Sequence, residues 1–177
     1  MRTEIRIAGF GGQGVALAGV ILGKALTIYS DYEAVMTQSY GPEARGGASS
    51  ANLIISDEPI DYPFVLKPDI LVALSQEAYT LYRPDAKKGA LLIIEEDLVI
   101  PNNSDTPYCI PATRLAEDLG RRVVTNVVMV GFFTAVTGLL TRDAVERSIE
   151  ETVKPKTLPL NLKAFERSEE RRVGKEC

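Results

Sequence analysis

A cluster of glycines, Gly9-Phe10-Gly11-Gly12-Gln13-Gly14, separates an apolar run at residues 5–10 from a stretch in which Val15, Ala18, Leu22, Leu26 and Tyr29 recur near helical spacing. A strand that enters a glycine-rich turn and leaves it as a helix restricts the chain to α/β architectures. Further strands are predicted at residues 33–39, 51–55, 69–74, 90–94 and 107–110. The runs at 69–74 and 90–94 are apolar on both faces, as central parallel strands are. Helices are predicted behind an N-cap at Ser75, over 111–119 with Pro111 in the first turn, over the uniformly apolar residues 123–140, and from a Thr141 cap to about residue 153. This order predicts a three-layer α/β/α sandwich around a Rossmann-like, mostly parallel sheet, with one domain over residues 1–166. Residues 167–177 are a charged break in composition that resembles translated adapter sequence. They are expected to lie outside the fold.

Composition removes several functions. The 177-residue chain has no histidine, which excludes His-based acid–base catalysis, Ser-His-Asp triads and His-ligated metals. Its two cysteines, Cys109 and Cys177, cannot supply the four thiolates of an iron–sulfur cluster, and neither a metal site nor a disulfide framework is expected. A net charge of −4 gives no basic field for a phosphate backbone, so no nucleic acid is expected as a partner. The apolar stretch at residues 16–22 is interrupted by Gly19 and too short for a bilayer, while Glu4 and Arg6 spoil a signal peptide. No membrane partner and a cytoplasmic location are expected.

Three features remain where chemistry could sit. Gly9, Gly11 and Gly14 have the spacing of a dinucleotide fingerprint, in which glycines let the backbone approach a pyrophosphate at a helix N-terminus. That fingerprint also needs an acid at the far end of the second strand. Here that end is Gln38-Ser39, and Glu33 begins the strand instead. The turn therefore serves tight strand–helix packing or the docking of an anion or partner on the loop formed by Gly9, Gly11, Gly12, Gln13 and Gly14. The second feature is the loop Ser39-Tyr40-Gly41-Pro42-Glu43-Ala44-Arg45-Gly46-Gly47, where rigid turns bracket an acid, an arginine and a tyrosine. Arg45, oriented by Glu43, could fork onto a carboxylate or phosphate; the alternative is a solvated surface pair. The third is Asn126, a polar residue in an apolar helix that must find partners if buried.

The two glycine-rich segments resemble the γ subunit of the 2-oxoacid:ferredoxin oxidoreductases. The likeness continues through Ile60-Asp-Tyr-Pro63, Lys67-Pro-Asp-Ile-Leu-Val-Ala-Leu-Ser-Gln-Glu-Ala-Tyr79 and Thr125-Asn-Val-Val-Met-Val-Gly131, in the expected order over residues 3–165. The variant with Asp61-Tyr-Pro63 and Leu74-Ser-Gln-Glu-Ala78 is most similar to the 2-oxoglutarate type. The resemblance implies a non-autonomous subunit of an enzyme that oxidatively decarboxylates a 2-oxoacid to an acyl-CoA and reduces ferredoxin. It implies α-type and β-type partners, and a ferredoxin-like δ subunit, that carry thiamine diphosphate and iron–sulfur clusters. Coenzyme A is the implied co-substrate, with both glycine-rich loops at the subunit junction near it. The competing reading is a stand-alone Rossmann-like nucleotide-binding or sensor module.

Overall fold

The computed structural model describes residues 1–40 and 47–169. Six strands form one sheet in the order β2-β3-β1-β4-β5-β6. They are β1 (Arg2–Phe10), β2 (Glu33–Tyr40), β3 (Ala48–Ser56), β4 (Ile70–Ala73), β5 (Leu91–Glu95) and β6 (Tyr108–Ile110). The helices are α1 (Val15–Ile28), α2 (Gln76–Tyr82), α3 (Ala112–Asp118), α4 (Thr125–Thr137), α5 (Arg142–Thr152) and α6 (Leu158–Glu169).

Three of the five pairings are parallel, β1 with β4, β4 with β5 and β5 with β6, as a mostly parallel sheet requires. The other two are antiparallel, β3 with β1 and with β2. The connection from Tyr40 to Ala48 is too short for a parallel crossover, which needs a dozen or more residues, so β2 and β3 form a hairpin. β3 thereby takes the place beside β1 that a second parallel strand holds in a dinucleotide-binding unit, and β2 is displaced to the edge. The ribose-reading acid is missing for a topological reason as well as a compositional one.

The two sheet faces are covered unequally. On one face Ile5, Ile7, Leu53, Ile55, Val72 and Ile93 enter a large core with α1, α3 and α4, behind which α5 packs on α1 and α6 on α4. Among the described residues the opposite face is met by α2, the 3-10 turn Arg83–Asp85 and the connections at 57–69 and 96–107, and its apolar cluster is small: Ala73, Tyr79, Ile94, Val99 and Cys109. Polar contacts supplement it. Arg6, buried in β1, donates through Nε to Asn52 Oδ1 (2.7 Å) and through Nη2 to Val65 O (2.8 Å), and its guanidinium lies 4.8 Å from the Tyr82 ring centre.

Both N-caps chosen from sequence form: Ser75 Oγ accepts from Ala78 N and Thr141 Oγ1 from Ala144 N, each at 3.2 Å. Two helices differ from expectation. The apolar stretch predicted at 123–140 is a 3-10 turn, Arg122–Val124, leading into the shorter α4, which stops where Gly138 adopts φ 62°. α6 was not anticipated, because Pro155 and Pro159 look like breakers; proline is tolerated in a first helical turn, and there they sit. The expected tail boundary shifts with it. Arg167, Ser168 and Glu169 continue α6, and Ser168 is fully buried with its hydroxyl donating to Phe165 O at 2.5 Å. A small hydroxyl satisfied inside its own helix carries no apolar signature in the sequence. Residues 170–177 lie outside the described residues.

Candidate functional site

The strand directions bring the ends of β1, β2, β4, β5 and β6 and the start of β3 to one edge of the sheet. The register sets Gly9 and Tyr40 on either side of Ser49, and Phe10 beside Ala48. Both glycine-rich segments thus begin side by side. Ser39 and Tyr40 are exposed at the end of β2, Tyr40 at 72%, and Gly47 is half-buried just before β3. Gly41, Pro42, Glu43, Ala44, Arg45 and Gly46 lie outside the described residues, so the proposed pairing of Glu43 and Arg45 does too.

The turn after β1 is held from below. Gln13 is buried; its Oε1 accepts from Phe10 N (2.9 Å) and its Nε2 donates to Leu74 O at the end of β4 (2.8 Å). Gln13 therefore latches the turn to the end of β4. A Cβ on Gly9 would run into the Gln13 amide and into Leu74 and Val15, so this glycine serves packing. Gly14 caps α1 with φ 73°, and a Cβ there would lie 2.5 Å from Asn126 Nδ2. Asn126 is buried; it donates to Gly14 O (3.2 Å) and accepts from Val127 N (2.9 Å). It belongs with the glycine turn, as a tie between that turn and α4.

Gly11 and Gly12 differ from their neighbours. Both are exposed, and a Cβ on either would meet nothing within 4 Å. Gly12 borders a pocket of about 280 Å³, lined also by Phe10, Gln13, Thr113, Arg122, Val123 and Thr125. Thr113, Arg122, Val123 and Thr125 were not singled out from sequence. Only the rule that open α/β sheets bind ligands beyond the carboxyl ends of their strands could have found them. The starts of α1 and α4 supply partial positive charge here, and Arg122 a full one, although its guanidinium also reaches Glu117 at 3.9 Å. The arrangement can hold an anionic group through backbone N–H donors and a cation. The described side chains around it offer no nucleophile–base pair.

Gly12 has φ 96°, so Gly12→Val places a β-branched side chain in a left-handed conformation at roughly 1–2 kcal/mol. Gly23→Ala adds a Cβ in ordinary contact with Leu53 Cδ2 (3.5 Å) and should be neutral to stabilising by up to about 1 kcal/mol. Gly12→Val should melt below the wild type and Gly23→Ala at or above it; equal melts would refute this account of the turn.

Glu95, at the end of β5, was also missed, although an acid closing the run Leu91-Leu92-Ile93-Ile94 is a visible signal. It is fully buried, and neither carboxyl oxygen closes a hydrogen bond. Burial, helped by Asp97, pushes its pKa up, while the N–H groups of Thr113, Asp97 and Leu98 pull more weakly the other way. Because the folded pKa is raised, the stability Glu95 contributes is complete below the ordinary carboxylate range and is lost as pH rises through the folded value. Glu95→Gln should therefore raise the melting temperature at pH 8, by the equivalent of about 1–3 kcal/mol, and leave it unchanged at pH 4. A pH-independent difference would point to packing instead.

The fold and this edge define an α/β subunit that offers backbone donors and a docking surface rather than a complete set of catalytic side chains. The chain belongs to the pyruvate ferredoxin/flavodoxin oxidoreductase family, whose model matches residues 4–170. It is 51% identical to 2-oxoglutarate synthase subunit KorC of Methanocaldococcus jannaschii, over 99% of this chain and 96% of that protein. To pyruvate synthase subunit PorC of the same organism it is 33% identical, over 92% and 93% of the two chains. The solved γ subunit of a keto/oxoacid ferredoxin oxidoreductase from Geobacter sulfurreducens superposes with a TM-score of 0.87 at 40% identity, covering 97% of each chain. The chain is thus one subunit of a multi-subunit oxidoreductase, and the reading as a stand-alone sensor is not favoured. Among the described residues no helix is long and apolar enough to cross a membrane.

Proposed function

We propose that the chain is the γ subunit of a 2-oxoglutarate:ferredoxin oxidoreductase, which converts 2-oxoglutarate and coenzyme A to succinyl-CoA and carbon dioxide while passing two electrons to ferredoxin. The observation that carries the choice of substrate is the step from 51% identity with a 2-oxoglutarate synthase subunit to 33% with the pyruvate synthase subunit of the same organism. The reaction needs an electron sink and redox centres, which protein side chains do not supply. Two cysteines and no histidine do not fit a cluster site, so thiamine diphosphate and iron–sulfur clusters belong to α-type, β-type and ferredoxin-like δ partners. The contribution of this chain is the glycine-rich edge. The pocket beside Gly12 and Arg122 suits a phosphate-bearing part of coenzyme A, and Arg45, which falls outside the described residues, is the candidate contact to the partners.

The assay is coenzyme A-dependent dye reduction by this subunit alone, by the partners alone and by the mixture, with 2-oxoglutarate, pyruvate and a branched 2-oxoacid compared. Turnover confined to the full mixture and fastest with 2-oxoglutarate is expected. Full activity without this chain would overturn the reading, and preference for another 2-oxoacid would overturn its substrate. In the assembled complex Arg45→Ala should lower activity at least about tenfold, the worth of one charge-assisted contact. Unchanged kinetics would return Arg45 to a surface pair.

A further inference from the structure

β2 stands at the sheet edge, paired with β3 along its eight residues, and no other strand among the described residues pairs with its outer edge. Natural edge strands of this length are blunted by lysine, proline or a bulge. The sequence Glu33-Ala34-Val35-Met36-Thr37-Gln38-Ser39-Tyr40 contains none of these residues, and its one charge is at the first position. Above the strand lies α1, which crosses β2 and β3, with Gly19 against Met36 of one and Ala51 of the other. α1 is apolar around most of its circumference, with Lys24 as its only charge. A helix of that composition is ordinarily covered on all sides. Yet Ala16, Val20 and Gly23 are only half-buried, and Thr27 is exposed. These four small residues recur at i, i+4, i+7 and i+11, one flank of the helix, next to the flank that meets the sheet.

We propose that this edge seats a second copy of the chain, β2 pairing antiparallel with its counterpart about a two-fold axis normal to the sheet. Such an axis keeps each face of the sheet on its own side, so residues of like parity lie opposite each other. The register centred on Thr37 sets Thr37 against its counterpart, Val35 against Ser39, and Ala34 against Tyr40. Glu33 stays outside the ladder, so no like charges oppose one another, and paired threonines are a favourable cross-strand combination. The helix layer fits independently. α1 lies over the gap between β2 and β3, and strands are spaced about 4.8 Å apart. The two α1 helices would then run antiparallel about 9.6 Å apart, inside the usual helix-packing distance of roughly 8–10 Å. The small flank residues permit that approach. Strand and helix together make a seam about 27 Å long and about 20 Å tall, burying on the order of 1,100 Å² in all. That just clears the roughly 1,000 Å² of a specific interface, which fits a reversible dimer.

The test is the mass of the purified chain by analytical ultracentrifugation from micromolar to sub-millimolar concentration, with a cross-link to fix the register. A monomer–dimer equilibrium is expected. Thr37→Cys should give a covalent dimer under mild oxidation well beyond that of the wild-type chain, which carries Cys109 and Cys177 as the control. Val20→Lys, at a half-exposed site, should weaken the dimer at least tenfold, about 1.4 kcal/mol, without lowering the melting temperature of the monomer. A monomer at every concentration, or a Thr37→Cys chain that cross-links in the whole complex only to a different subunit, would overturn the proposal.

Discussion

Gly131→Val should lower the melting temperature by about 6–12 °C, the equivalent of roughly 3 kcal/mol in a domain of this size. Gly131 lies in the middle of α4, where a residue without a side chain would ordinarily weaken the helix. Its absence of a Cβ is what lets α6 approach. A Cβ would collide with the Ser168 hydroxyl and lie 2.8 Å from Phe165 O and 3.0 Å from Ser168 Cβ. Two of these atoms could be relieved by a smaller residue in α6, but the carbonyl belongs to the backbone and cannot move aside without shifting the helix. The clash is therefore expected to outweigh the gain in helix propensity, about 1 kcal/mol at most. Ser168→Gly in the Gly131→Ala background should recover part of the loss and leave the part due to the carbonyl, a coupling that a double-mutant cycle measures. A Gly131→Val chain that melts with the wild type would show that α4 and α6 do not cross here.

Arg83→Met should lower stability by about 2–3 kcal/mol. Asp105 is almost fully enclosed, with its side chain 4% exposed. Arg83 grips it with both branches of the guanidinium, Nε to Oδ2 at 2.7 Å and Nη2 to Oδ1 at 2.6 Å. The Tyr79 hydroxyl donates to the same carboxylate and accepts from Asn102 N at 3.0 Å. The loop between β5 and β6 is thereby fastened to α2. Removing the arginine strands a buried carboxylate; the figure sits below that of a fully buried pair because Arg83 is itself 26% exposed. Arg83, and secondarily Tyr79, hold the Asp105 carboxyl below its usual pKa. Its contribution is thus complete above the ordinary carboxylate value, about 4, and fades as pH falls through the lowered folded value. Melts of the wild type and of Arg83→Met should converge in acid and separate toward neutrality. A gap that stays constant with pH would mean that packing of the arginine stem, rather than its charge, is what was lost.

Most strands and the first helix were legible because burial on both faces leaves uninterrupted apolar runs, and because the glycines after β1 mark a turn that few other sequences could make. The carboxyl-edge location of the glycine turn was legible for the same reason. The roles within it were not. Gly9, Gln13 and Gly14 read equally as packing or docking residues and Asn126 as a polar group in need of partners; the fold engages all four in internal packing or hydrogen bonds, whereas a Cβ on Gly11 or Gly12 would stand in open space. Sequence spacing cannot separate these cases, because a latch and a ligand-binding residue can use the same side chain. The partners that decide the matter, Leu74 O for Gln13 and Gly14 O for Asn126, are backbone atoms brought close by the fold. Arg122 and Thr113 escaped notice for the converse reason, being ordinary residues that matter only because of the strand ends they adjoin. α6 escaped because two prolines masked its first turn and a buried serine its last.

The unequal covering of the sheet gives the domain two kinds of cohesion. One side is a thick apolar layer whose strength depends on excluded water and hardly on ions. The other, under a single short helix, relies on Arg6 with Asn52 and on Arg83 with Asp105, contacts whose partners are widely separated along the chain. The ion pairs on the thick side, on α5 and α6, are exposed and contribute little, so salt or acid acts chiefly on the thinly covered side. Under such conditions α2 and the loops beside it should exchange their amide hydrogens through local openings while α1 and α4 still require global unfolding. The molecule would then come apart by shedding one layer, with the sheet and its thick helical backing left standing.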